Sequence, residues 1–268
     1  MPKQLDQKID SLLTWFVSEL SLVFSRAQAR VLSDMLTRLS IKASTVLPGR
    51  ENYRVFKQLP ELFRKALKAE GYDRTVTQFL ASFDDGVPYL EDILAKVTDH
   101  FDLKPVHFSA DDLKFFQEVK TTTALTLEDA INQISQRARA RVLFSYAGGT
   151  FQELAVTVAA RLHVGQAEAG KIATTGLATF YRTMADTGYQ KIEATLKPSG
   201  NQLHYFYYGP DDKLTRPFCE RLLHDTRAGR VWTRPEIEAM DNGQLPNVFQ
   251  TCGGYNCRHQ WLVQGVGK

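Results

Sequence analysis

The sequence predicts a mainly α-helical protein with a small α+β module at its C-terminal end. Two observations lead to this fold class. Apolar residues recur every three or four positions through most of the first 200 residues, which is the spacing of amphipathic helices. After Gly200, residues 203–208 are rich in aromatic side chains that favour strands. A long N-terminal helix and a helical domain are therefore expected to precede a domain of helices and a small sheet.

Residues 1–120 are predicted to form an N-terminal helical domain that begins with a long helix. Apolar side chains from Ile9 to Ala27 recur at steps of four and three, which predicts one helix over residues 5–41. Pro48-Gly49 would separate this helix from the next one. Shorter helical patterns occur at 61–69, 74–82 and 87–97. The apolar stripe of the long helix indicates either a packed core or a surface for a partner helix.

Residues 121–268 are predicted to form the second domain, because the helical pattern is interrupted at Pro105 and at 121–124 and then restarts. Thr126 and Asp129 resemble a capping box at the start of a helix that Gly148-Gly149 would end. Two further helices are expected at 151–162 and 166–196. A strand at 203–208 and a turn at 209–212 come next, and 213–268 is predicted to consist of short elements and loops.

The composition is that of an ordinary globular protein, with 43% hydrophobic, 11% aromatic and 24% charged residues. These proportions exclude a disordered chain and a collagen-like repeat. The formal net charge of +3 is too small to indicate nucleic-acid binding by itself. The whole basic excess lies in residues 121–268, where Arg outnumbers Lys by 11 to 5. This bias suits either bidentate binding of phosphate or carboxylate, or a solvated charged face.

The sequence contains neither a predicted membrane span nor a predicted signal peptide. The longest apolar stretch, 12–24, is interrupted by polar residues and is shorter than the ~20 residues that a spanning helix needs. The N-terminus lacks the basic region, apolar core and cleavage site of a secretory signal. Synthesis in the cytosol without membrane insertion is therefore expected.

All three cysteines lie in the last fifth of the chain, an odd number that argues against a secreted disulfide framework. A structural zinc site is one explanation, with Cys219, His224, Cys257 and His259 as predicted ligands and Cys252 as an alternative. Their separations differ from those of common zinc knuckles, so buried reduced thiols beside a hydrogen-bonded histidine are a second explanation. A nucleophilic pair, in which His224 serves Cys219 or Cys257, is the third; the sequence contains neither a nucleophile elbow nor a papain-type pattern.

Arginine residues are dense between positions 213 and 234, a segment that contains six basic and two acidic residues. Arg227, Arg230 and Arg234 are predicted to point outward and to contact nucleic-acid phosphate, an interaction that would weaken with salt. Internal salt bridges are the alternative. Two further arginines, Arg216 and Arg258, are predicted to pair with carboxylates such as Asp211 or Asp225.

The C-terminal motifs occur in a recognisable order. A helical stretch at 166–175 is followed by a long helix that ends near Gly188-Tyr189, an aromatic strand and a turn at Asp211-Asp212. Then come Arg216, Cys219, His224 and finally Cys257-Arg258-His259. Over about residues 125–268 this order resembles the Mu F-like minor head proteins, the head morphogenesis family of tailed phages. The string 253–261 is the most specific part of the resemblance.

The chain departs from the family pattern at three places, which would make it a divergent member. Residues 172–175 lack the Arg and Glu of the family's helical stretch, and Tyr207-Tyr208 stand where the family's strand usually has Trp. His259 replaces the final Cys of the family's Cys-Arg-Cys end.

The resemblance implies a structural virion component, located inside the head near the portal vertex, that aids capsid assembly and DNA packaging or ejection. Portal or capsid protein is the implied partner, and viral double-stranded DNA is a second candidate. No catalytic residue is predicted. Two alternatives remain open at this point: a Cys–His enzyme or toxin-like protein delivered with the genome, and a DNA-binding regulator.

Overall fold

A computed structural model describes residues 2–145 and 149–267, with side chains described throughout these ranges except at residues 2–3, 144–145, 161–164 and 266–267. The predicted fold class is confirmed, because the chain is mainly helical with two small two-stranded sheets. Ten α-helices and four strands occur within the described ranges. The helices are α1 (Pro2–Arg38), α2 (Arg50–Lys57), α3 (Leu59–Ala69), α4 (Tyr72–Ala81), α5 (Val87–His100), α6 (Ala110–Ser145), α7 (Phe151–Leu196), α8 (Pro217–Arg227), α9 (Arg234–Glu238) and α10 (Val248–Thr251), and the strands are β1 (Ile41–Lys42), β2 (Thr45–Val46), β3 (Gln202–Tyr208) and β4 (Gln260–Gly267).

The contacts divide the chain into two compact units, neither of which is continuous in sequence. Unit 1 consists of Met1–Asp10, Ser82–Thr122 and Ile172–Lys268, and unit 2 of Ser11–Ala81 and Thr123–Lys171. This division differs from the predicted consecutive domains 1–120 and 121–268. The interruption predicted at 121–124 is wrong, because α6 continues through these residues. Threonine has only a modest helix penalty, which packing overrides here.

The structure confirms some of the predicted elements and merges others. The predicted helix at 5–41 is confirmed by α1, and the strand at 203–208 by β3. The two helices predicted at 151–162 and 166–196 are in fact one helix, α7, because Gly165 does not interrupt it. Gly148, which is predicted to help end the preceding helix, lies outside the described residues.

Unit 2 is held together by aromatic packing between its helices. Phe16 of α1 stacks on Phe79 of α4 with ring centroids 4.0 Å apart, and Phe24 meets the edges of Phe63 and Tyr72. The short hairpin β1–β2 makes an isolated bridge from Thr45 to Thr150. The apolar stripe of α1 within this unit therefore contributes to a packed core.

Unit 1 contains the antiparallel sheet β3–β4, which pairs Gln202 with Gly267 and Tyr208 with Gln260. Alternate residues of β3 are buried, which places Leu203, Tyr205 and Tyr207 on the inner face. Tyr205 packs near Tyr189 of α7, at a centroid distance of 5.7 Å. The sheet and the end of α7 therefore share one core.

Within the described ranges, no helix combines the length and apolarity that crossing a bilayer requires.

The first turns of α1 belong to unit 1 and bring Asp6 beside the sheet. Gln260 Nε2 donates a hydrogen bond to Asp6 Oδ1 at 3.1 Å. Burial, and secondarily repulsion from Asp10, raises the pKa of Asp6 from 3.8 to about 6. The folded chain therefore binds this proton more tightly than the unfolded chain does, and stability falls as pH rises through about 4 to 6.

Replacing Asp6 by Asn is expected to remove the loss of stability that accompanies ionisation of the Asp6 carboxyl. At pH 7 the free energy of unfolding should rise by about 1–2 kcal/mol, an estimate that allows for the partly exposed carboxylate. At pH 4 the gain should be much smaller, because Asp6 is then largely protonated in the folded chain. Urea unfolding of both proteins at the two pH values measures the difference. An equal gain at both pH values would contradict the assignment, since it would not come from the charge.

Candidate functional site

Two cysteines and one histidine of unit 1 meet in a buried cluster. Cys219 Sγ lies 3.8 Å from Cys257 Sγ, and Cys257 Sγ lies 3.5 Å from His259 Nδ1. A ligand atom from each of the three side chains lies within 4.8 Å of those of the other two. All three residues are at most 5% exposed. We call these three residues the thiol–histidine cluster.

The helical geometry of α8 determines which of its side chains reaches the cluster. Pro217 occupies the first turn, where its missing N–H costs nothing, and Cys219, Leu222 and Leu223 form the buried face. His224 follows Cys219 by five positions and therefore lies about 140° further around the helix. Its side chain is 83% exposed and lies 3.8 Å from Asp225. The prediction of His224 as a metal ligand is wrong, because residues 217–227 form one helix on which His224 and Cys219 point apart.

Cys257 and His259 approach the cluster from the segment just before β4. Alternate residues of an extended chain point the same way, and this predicted pairing is confirmed by the 3.5 Å separation of the two side chains. His259 Nε2 donates to the carbonyl oxygen of Pro210 at 2.8 Å. Because a carbonyl only accepts, Nε2 carries a proton, and in the neutral ring Nδ1 presents its lone pair to the thiols.

Tyr207 contributes a hydroxyl to the cluster, which the sequence reasoning missed. Its Oη donates to Cys219 Sγ at 3.4 Å and lies 3.8 Å from Cys257 Sγ. Its ring stacks on that of His259 with an interplanar angle of 6°. The alternation of the predicted strand β3 could have indicated that Tyr207 points inward once Leu203 and Tyr205 were assigned to the core.

Two glycines allow the cluster to pack closely. A Cβ at Gly253 would overlap Cys219 Sγ and would lie 3.2 Å from Cys257 Sγ. A Cβ at Gly209 would lie 2.9 Å from the Cα of His259. Both positions therefore exclude a side chain because of neighbouring atoms.

Arg182 is a buried cation beside this cluster and was also missed. It is 7% exposed, and its Nη2 donates to the carbonyl oxygen of Cys257 at 2.6 Å. An arginine between apolar residues such as Phe180 and Met184 in the middle of a long helix was a signal that could have been noticed. Its guanidinium holds the loop that carries Cys257 against α7.

The thiols differ in acidity. The hydrogen bond between Cys219 and Cys257 lowers the pKa of Cys257 and raises that of Cys219, so the first proton leaves Cys257. Burial raises the pKa of Cys252 to about 12. Cys252 is completely buried but does not belong to the thiol–histidine cluster.

Arg216 and Arg258 differ in their partners. Arg216 donates to the carbonyl oxygens of Gly253, at 2.6 Å, and of Tyr255. Arg258 makes a bidentate pair with Asp212 at 2.7 and 2.8 Å, not with Asp211 or Asp225. This pair lowers the pKa of Asp212 to about 2. The predicted carboxylate pairing is thus wrong for Arg216. It is confirmed for Arg258, whose partner is Asp212 and neither of the two carboxylates named as examples.

The three arginines predicted to contact phosphate have different environments. Arg227 pairs with Asp211 at 2.7 Å and Arg230 with Asp225 at 3.4 Å, and both side chains are more than half exposed. Arg234 is only 14% exposed and binds Asp186 at 2.6 Å and Glu193 at 2.5 Å. The prediction that Arg234 points outward is wrong, because its guanidinium pairs with two carboxylates of α7.

The thiol–histidine cluster joins the start of α8 to the segment before β4, and the hydroxyl of Tyr207 links it to the end of β3. Such an arrangement can stabilise the contact between these elements, and its two sulfurs and one imidazole nitrogen are atoms that can bind a metal. No family model, curated protein or solved structure matches this chain.

Proposed function

We propose that the chain is a minor head protein of a tailed phage, a structural virion component located inside the head near the portal vertex. In this role it aids capsid assembly and DNA packaging or ejection. The observation that carries the proposal is that Thr175, Asp212, Cys219, Cys257 and Arg258, which belong to the motifs that resemble the Mu F-like family, meet in one small region of unit 1, whereas His224 lies outside it.

This convergence is built from specific contacts. Asn256 N–H donates to Thr175 Oγ1 at 2.9 Å, which links the terminal motif to the helical stretch of α7. Asp212 of the turn binds Arg258, and Cys219 of α8 lies against Cys257. These contacts join motif residues that lie far apart in the sequence.

The exposed apolar side chains of the long helices support a protein partner. Leu22 and Leu36 of α1, Leu113 and Leu125 of α6, and Val156 of α7 are all exposed. Single exposed apolar residues are ordinary, but helices of this length with several of them offer surfaces to a partner helix. Portal or capsid protein is the partner that we propose.

The burial of the cluster supports an architectural role over Cys–His catalysis. A nucleophilic cysteine must reach its substrate, whereas Cys219 and Cys257 are enclosed. The exposed His224, which would be the base in the enzymatic alternative, contacts Asp225. Of the three arginines predicted to bind DNA, only Arg227 and Arg230 are exposed. To bind phosphate, each would have to give up its ion pair with Asp211 or Asp225.

The test is to follow the chain through particle assembly in the phage that encodes it. Purified heads, separated on a density gradient, are expected to contain the chain at low copy number. A nonsense mutation in its gene should give particles with defective assembly or DNA content. An otherwise identical phage with the same codon reverted serves as the control. The proposal fails if the chain stays free in the lysate and particles without it are infectious.

A further inference from the structure

We propose that Cys219, Cys257 and His259 bind one zinc ion, which ties the start of α8 to the segment before β4. This inference does not depend on the proposed virion role. It differs from the ligand set predicted from the sequence, because neither His224 nor Cys252 is a ligand.

Two of the three distances between the candidate ligand atoms match those of a tetrahedral zinc site, and the third, between Cys219 Sγ and His259 Nδ1, is within 4.8 Å. With Zn–S near 2.3 Å and Zn–N near 2.0–2.1 Å, the edges of the tetrahedron are roughly 3.8 Å between two sulfurs and roughly 3.6 Å between sulfur and nitrogen. Cys219 Sγ and Cys257 Sγ are 3.8 Å apart, and Cys257 Sγ and His259 Nδ1 are 3.5 Å apart. Cys257 can therefore coordinate together with either neighbour as it stands, and an ion bound by all three draws Cys219 Sγ and His259 Nδ1 to roughly 3.6 Å from each other.

The surroundings of the cluster orient its atoms as a metal site requires. His259 Nε2 donates to the Pro210 carbonyl oxygen, which leaves Nδ1 as the coordinating nitrogen. The N–H of Gly253 donates to Cys257 Sγ at 3.2 Å, a bond that stabilises a thiolate. The stacked ring of Tyr207 keeps the imidazole in plane.

The fourth position of the tetrahedron faces Tyr207. Its Oη lies 3.4 Å from Cys219 Sγ and 3.8 Å from Cys257 Sγ, so this hydroxyl, or a water that it holds, is close to the remaining vertex. Because the three protein ligands are buried, a bound ion would be shielded from solvent.

The chemistry of the three ligand atoms favours zinc over other common metal ions. Two thiolates and an imidazole suit zinc, whereas calcium and magnesium prefer oxygen ligands. Cys219 and Cys257 are free thiols, so both sulfurs are available to a metal.

The experiment is zinc binding to the full chain under reducing conditions. The protein is stripped of metal, titrated with zinc against a chromophoric chelator, and separately titrated with Co²⁺ to record sulfur-to-cobalt charge-transfer absorption. We expect one ion per chain, charge-transfer absorption, and a melting temperature that rises with zinc and falls with chelator. Binding of fewer than about 0.1 ions per chain by the wild-type protein would overturn the proposal, whatever the variants do.

Matched substitutions test the ligand set. Cys219→Ser, Cys257→Ser and His259→Gln are each expected to weaken zinc binding by more than the roughly 10–100-fold that loss of an outer hydrogen bond costs. Cys252→Ser and His224→Gln make the same chemical changes at positions outside the site and should bind zinc as the wild type does. Loss of zinc in either control, or retention in any of the three ligand variants, would overturn the assignment.

Discussion

Replacing Arg234 by Met is expected to lower the free energy of unfolding by about 3–5 kcal/mol, because it leaves a buried carboxylate without its counter-charge. Asp186 is 2% exposed and receives Arg234 Nη1 at 2.6 Å, while Glu193 receives Nε at 2.5 Å. Methionine keeps an apolar stem over the ring of Phe249, where the guanidinium now lies 4.3 Å from the centroid. The decrease in the free energy of unfolding therefore reflects mainly the removal of the positive charge. Urea unfolding at pH 7 measures it.

Arg227→Met is the matched control, because its pair with Asp211 is largely exposed. This change should cost less than about 1 kcal/mol. The double variant Asp186→Asn with Arg234→Met should recover part of the stability, since it removes the stranded charge. Equal losses at Arg227 and Arg234 would show that Arg234 does not serve as a buried counter-ion.

Gly253→Ala is expected to disrupt the thiol–histidine cluster. The added Cβ would overlap Cys219 Sγ, and a short buried cysteine side chain has little freedom to move away. Overpacking of this kind costs about 1–3 kcal/mol. The bond from Gly253 N–H to Cys257 Sγ should also lengthen, so zinc binding should weaken along with stability. Thermal and urea unfolding in the presence of reductant, with and without zinc, measure both effects.

Gly265→Ala provides the matched control in the same unit, because a Cβ at that position in β4 meets open space. Its stability should change by less than about 0.5 kcal/mol. Combining Gly253→Ala with Cys219→Ala should restore part of the loss, since the overlapping sulfur is gone. If Gly253→Ala proves as stable as Gly265→Ala, the packing around Cys219 is looser than the contact distances indicate.

Some features of the candidate site could be predicted from local sequence. The pairing of Cys257 with His259 follows from the period of an extended chain, and the strand that carries Tyr207 follows from its aromatic residues. His224 was misassigned because its orientation depends on whether residues 217–227 are helical. A Cys and a His five positions apart can share a site in a loop but point apart on a helix.

The burial and the partners of the arginines could not be predicted from local sequence. Arg227, Arg230 and Arg234 look alike in sequence, yet two lie in exposed pairs and one lies in a buried network with residues of α7 that precede it by more than 40 positions. Arg182 was missed for the same reason, because its partner Cys257 lies 75 residues away. Long-range pairing of this kind has no local periodicity.

Spacing and residue preference act over a few neighbouring residues, so local sequence was enough to predict the helical class, the long first helix and the aromatic strand, and it already showed the concentration of cysteine near the C-terminus. Folding, in contrast, determines that the chain forms two discontinuous units, which cysteines and which histidine meet, and which arginines are buried. The physical reason is that burial and charge pairing depend on residues brought together from distant parts of the chain, and their energies are set by the surroundings that packing creates.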